Sequence, residues 1–129
     1  MTPSWEVVRR AQDDERVGYL APVAGSDGLV VPMTLAGTPA AAPMDGDEAS
    51  TLLAGTGLAL LARRWWCRLP AVLPPGVTDA GRPAADWDWR AVLLVEVGPH
   101  RVRVRPELPE PAEGTASAVL PVPAGDLLS

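Results

Sequence analysis

Cys67 and His100 are the only cysteine and the only histidine in the chain. A thiol beside an imidazole is a minimal nucleophile–base pair. It would need neighbouring strands and an accessible sulfur. The flanking residues argue against both. Cys67 stands between Trp66 and Arg68 in an apolar stretch, where free cysteine behaves as a small buried hydrophobe. His100 stands beside a turn, an ordinary place for a polar residue. A buried thiol stays protonated and inert, so no catalytic residue is expected. Asp86 and Asp88 alternate with Trp87 and Trp89. Carboxylates near aromatics suit sugar handling or metal binding, but on a strand these acids fall on the face opposite the rings. No third acidic or His ligand follows at a useful spacing, so no metal site is expected. Gly55-Thr56-Gly57 lacks the spacing of a phosphate loop and follows no strand. No cofactor is expected.

The remaining constellation is basic and aromatic. Arg63, Arg64 and Arg68 surround Trp65 and Trp66, and Arg101, Arg103 and Arg105 alternate along one stretch. Guanidinium groups that track phosphate, with rings that stack on bases, hold single-stranded nucleic acid. The bland reading makes the arginines a solvated face and the tryptophans core. These eight residues are the candidate interaction surface. Five tryptophans with no phenylalanine leave Trp to supply the large aromatic volume, either in the core or at a protein interface.

The stretch that positions these residues is WDWRAVLLVEVGPHRVRVR, 87–105. Alternation puts Trp87, Trp89, Ala91, Leu93, Val95 and Val97 on one wholly apolar face. Gly98-Pro99 marks a turn. With Val97 opposite His100, Val95 meets Val102, Leu93 meets Val104 and Glu96 meets Arg101. The expectation is a hairpin with the odd-numbered face of its first strand buried.

Upstream, 4–10, 17–23 and 29–35 alternate as three strands of an antiparallel meander. Pro22 and Pro32 point to edges or bulges. Asp45 is a plausible N-cap with Glu48 three residues on. A helix follows, interrupted at Gly55-Thr56-Gly57, with a second short helix after it or a single kinked one as the alternative. Residues 66–69 read as a fourth strand and 70–86 as a long loop. Residues 106–114, PELPEPAEG, read as an acidic, proline-rich spacer. Residues 118–123 either cover an apolar edge or lie extended.

The expected class is α+β: an antiparallel sheet or a small, partly closed β-barrel with one helical insertion. The expected organisation is a globular unit over 1–105 and a partly ordered acidic segment over 106–129. The order of three strands, a helix and more strands also parallels an OB-type barrel.

Composition narrows the function classes. Lys, Asn, Ile and Phe are absent while Ala, Gly, Pro and Arg abound, the signature of a GC-rich genome. Residues 1–62 carry eight acids against three arginines, and 63–129 carry eight of each, so the whole net charge of −5 sits in the first half. That balance argues against bulk binding of duplex DNA. An unpaired cysteine fits a reducing compartment, and neither a signal-peptide core nor a membrane-length apolar run is present. The expectation is a cytoplasmic, non-catalytic binding protein acting through another protein or a second copy of itself. Single-stranded nucleic-acid binding is the alternative, and no membrane partner is expected.

Overall fold

The computed structural model describes residues 4–129. The fold is α+β, with two antiparallel-dominated sheets. β1 (Glu6–Arg9), β2 (Arg16–Pro22) and β3 (Leu29–Met33) form the expected meander. A two-residue strand, β4 (Met44–Asp45), extends it to a four-stranded sheet in the order β1-β2-β3-β4. Proline is tolerated within β3 because the nitrogen of Pro32, which has no hydrogen to donate, lies on the side away from β2. Its carbonyl accepts from Ala40 N on the side away from β2.

The second sheet holds β5 (Trp65–Leu69), β6 (Val77–Asp79), β7 (Asp88–Val97), β8 (Arg101–Pro106) and β9 (Ser117–Pro121). Their order is β5-β7-β8-β9-β6, and β6 runs parallel to β9. Neither sheet closes on itself, so the parallel with an OB-type barrel does not hold. The strands divide between two open sheets because β4 ends the first, while β9 and β6 occupy positions beyond β8 in the second.

Asp45 caps the helix as expected, and its Oδ1 accepts from Asp47 N at 2.9 Å. The break expected at Gly55-Thr56-Gly57 does not occur. α1 (Gly46–Leu52) passes through a π-helical turn, Leu53–Gly57, into α2 (Leu58–Leu61). Gly57 is required there for close approach, since a Cβ on it would lie 2.4 Å from the Val17 carbonyl oxygen. The wider turn sets bare backbone of the helix against bare backbone of β2.

The central hairpin forms, with a different register. Gly98 N donates to Arg101 O at 2.9 Å, so Pro99-His100 is the turn and Val97 pairs with Val102. That shift of two residues alone would have kept the expected facing. A bulge at Val95 then changes the phase, and Leu94 meets Val104 while Leu93 meets Arg105. The buried residues are therefore Val92, Val102 and Val104, with Leu94 and Val97 packed against them. Leu93 and Val95, expected in the core, are exposed. Glu96 pairs with Arg103, not Arg101.

Both proline-rich connections are built into the second sheet. Residues 70–86 bury Leu73 and Ala80 and supply β6. Residues 106–129 supply β9, an inner strand of that sheet. The expected boundary near 105 thus falls between two paired neighbours. The supposed spacer is pinned by Glu113, whose side chain is fully buried. Its carboxylate accepts from Arg90 Nη1 and Nη2 at 2.8 Å each, and from Leu73 N and Glu110 N at 2.7 Å each. The Arg90 guanidinium, with those two backbone N–H groups, holds the Glu113 carboxyl down to about 2 against the opposing effect of burial.

Beneath the second sheet lies the largest core, which includes Trp65, Cys67, Leu69 and Leu120 as well as residues from the C-terminal turn. Ser129 covers one position of the β5 edge. Ser129 N donates to Trp66 O at 2.9 Å, and Trp66 N donates to Ser129 O at 3.0 Å. Gly37 joins the sheets. Its φ of +77° suits glycine, and a Cβ there would lie 2.2 Å from Pro123 Cα. Ala124 N and Gly125 N donate to Ala36 O and Gly37 O.

Candidate interaction surface

The site is built on β5, β7 and β8, whose inner side chains form the core and whose outer side chains meet solvent. Trp65, Cys67 and Leu69 point inward, so Trp66 and Arg68 point outward. Arg68 pairs with Trp89 and Trp66 with Ala91. Paired residues share a face, so both rings and Arg68 stand together. Trp66 is 43% exposed and Trp89 48%. Leu93 continues the apolar strip along β7 at 41%, whereas Val95, at the bulge, is exposed beside Leu58 and Leu61 of α2. Arg101, Arg103 and Arg105 project from β8 onto the same face, Arg105 opposite Leu93.

Of the eight expected surface residues, the structure gathers Trp66, Arg68, Arg101, Arg103 and Arg105 on this face. Trp65 is corrected to core, 3% exposed, because alternation turns it inward. The Arg63 guanidinium covers its ring at 3.6 Å, a cation–π contact. Arg64 is engaged with Glu107, Nε and Nη2 donating to the two carboxylate oxygens. Trp89 and Leu93 were assigned to the core by pattern and are instead part of this face, and Val95, assigned there too, is exposed at the bulge. No local signal reveals this. Arg90 occupies an inward position only because Glu113, distant in sequence, satisfies it.

The electrostatics of the face are locally positive. Arg103 Nη2 donates to Glu96 Oε2 at 2.9 Å. Arg68 and Arg105 donate to backbone carbonyls, of Ala84 at 3.3 Å and Gly114 at 3.4 Å. Among the described residues, Arg68, Arg101 and Arg105 form no ion pair within 4.0 Å. Two clefts open here. One of about 440 Å³ includes His100, Arg101, Arg103 and Val119. The other, about 350 Å³, is lined by Arg68, Pro83, Trp89, Asp126 and Leu127.

The nucleophile–base pair is not brought together. Cys67 lies opposite Arg90 and faces the core, whereas His100 is in the hairpin turn. At about 3.3 Å per residue, the run from Arg90 to Val97 alone separates them by roughly 20 Å. Burial pushes the Cys67 thiol up to about 12. Asp86 and Asp88 are exposed, and no group of three potential metal-ligating side chains occurs among the described residues. No helix among those residues is long and apolar enough to cross a membrane. Comparisons with protein-family models, curated proteins and solved structures find no match to this chain.

Proposed function

We propose that this chain is a small, non-catalytic accessory protein that binds a protein partner on the open face of its second sheet. The observation that carries the reading is the strip of Trp66, Trp89 and Leu93, all exposed on one face above a separate, filled core. Exposed aromatic and aliphatic side chains rimmed by arginine are the composition of an interface centre. Work in a reducing, cytoplasmic setting belongs to the same reading and is supported by the unpaired Cys67. The test is a doubly substituted full chain, Trp66→Ala with Trp89→Ala. It should keep its melting temperature and lose a partner that the wild type retains from a lysate. Arg9→Ala, on the first sheet, should lose nothing. An unchanged set of retained proteins in the double variant would refute the reading.

One observation favours a second reading, the placement of Arg68 directly opposite Trp89 with Trp66 on the same face. Rings beside unpaired guanidinium groups suit single-stranded nucleic acid. That reading requires binding of a labelled single-stranded oligonucleotide that weakens steeply with salt and is lost in Arg68→Ala. An absence of binding at low salt removes it.

A further inference from the structure

We infer that the occupant of this face is a second copy of the chain. In each copy the exposed segment Leu108–Pro111 seats in the Trp89 cleft of the other. This rests on the reading of the face as a protein-docking surface and names what docks there.

The segment has the form of a preset knob. Leu108 is 81% exposed, the most exposed large apolar side chain among the described residues. Pro109, Glu110 and Pro111 beside it are exposed too. Both flanks are tied down, by the Arg64–Glu107 pair before it and by Glu113 behind it, which accepts from Glu110 N. Two prolines and two anchors leave little conformational freedom to lose on docking, which is where preorganised segments gain affinity.

The cleft has the matching chemistry. Trp89, Pro83 and Leu127 give it apolar walls, and its two charged lining residues are Asp126 and Arg68, which has no ion pair of its own. Aromatic-lined grooves take extended proline-rich segments, and Arg68, free of any ion pair with Asp126 in the same cleft, is the group that would meet Glu110. Placement supplies the reason for a second copy. Glu107 N donates to Ala91 O, so the segment leaves the sheet two residues along β7 from Trp89. Knob and cleft therefore lie side by side. A twofold axis between them generates both contacts at once, as an isologous interface requires. Ser129 already pairs with Trp66 on the β5 edge. The copies meet face to face.

Sedimentation velocity of the full chain, from micromolar to near-millimolar concentration, tests this. A monomer–dimer equilibrium is expected. Leu108→Asp and Trp89→Ala should each raise its dissociation constant by at least about tenfold, the scale of a hot-spot truncation. Both sites are exposed, so unchanged melting temperatures are the control. A peptide of residues 106–112 should then alter Trp fluorescence of the Leu108→Asp chain, whose cleft is intact, and not that of Trp89→Ala. A dimer indifferent to both substitutions overturns the assignment. So does a chain that stays monomeric throughout. If that monomer still binds the peptide, the docking face stands and only the second copy is wrong. If it ignores the peptide and the double Trp variant retains every partner, the underlying reading fails as well.

Discussion

Glu113 is the side chain whose removal should damage this fold most. Its carboxylate is inaccessible to solvent and satisfies four donors, two from Arg90 and one each from Leu73 and Glu110. Arg90 is itself only 17% exposed and also donates to Pro70 O. Glu113→Ala would strand a largely buried guanidinium and uncouple two backbone N–H groups. Breaking a buried pair by removing one partner costs about 3–5 kcal/mol, a large share of the roughly 5–15 kcal/mol that holds a domain. The loss should concentrate where Glu113 ties residues 70–73 and 110–113 to β7.

The same carboxyl gives the pH response its sign. Its value is near 2 in the fold, against 4.5 for the free group. The unfolded chain therefore binds the proton first as pH falls. The stabilisation is complete above about 4.5 and is lost progressively toward 2. Urea midpoints at neutral pH, and a series from pH 6 down to 2, measure both effects. Glu113→Gln should flatten the acid limb. A loss under about 1 kcal/mol at neutral pH in Glu113→Ala, the range of an exposed pair, would refute the reasoning. So would an unaltered acid limb in Glu113→Gln.

Three further outcomes follow from the packing. Gly57→Ala should lose about 1–3 kcal/mol from overpacking against the Val17 carbonyl, whereas Gly55→Ala, with nothing near its added methyl, should gain up to about 1 kcal/mol; denaturant midpoints of the two variants should move in opposite directions. In the hairpin, Val92→Ala should cost roughly 2–3 kcal/mol, because Val92 is fully buried, while exposed Val95→Ala and Arg103→Ala should each cost under about 0.5 kcal/mol; a reversed order would mean that the register is wrong. Cys67 should resist iodoacetamide near neutral pH and react only after denaturation, since its thiol is buried and pushed up to about 12; rapid alkylation of the native chain, followed by mass spectrometry, would contradict its placement.

What the sequence determined by itself was local. Alternation placed the first three strands, the fourth and both arms of the hairpin, because a strand's two faces are written in period two. Asp45 marked the helix start, since a cap acts over only a few residues. Charge and turn chemistry put the β8 arginines outside and Val102 and Val104 inside.

Only tertiary structure decided which face of β7 is buried. Its odd-numbered face is wholly apolar and its even-numbered face carries Asp88, Arg90 and Glu96 among apolar residues, so pattern favoured the odd one. The choice turned on Glu113, 23 residues from Arg90 in sequence, which makes an inward arginine tolerable. The bulge at Val95 then reconciled that facing with the turn. The same non-local pairing made β6 invisible beforehand and left β9 legible only as a segment over 118–123 that covers an edge or lies extended. VTD is too short to show alternation, and it and SAVLP become strands only beside each other and β8. It also decided the candidate surface. Trp66 and Arg68 could be nominated from composition, but Trp89 and Leu93 joined them because burying Val92 and Leu94 turned their neighbours outward.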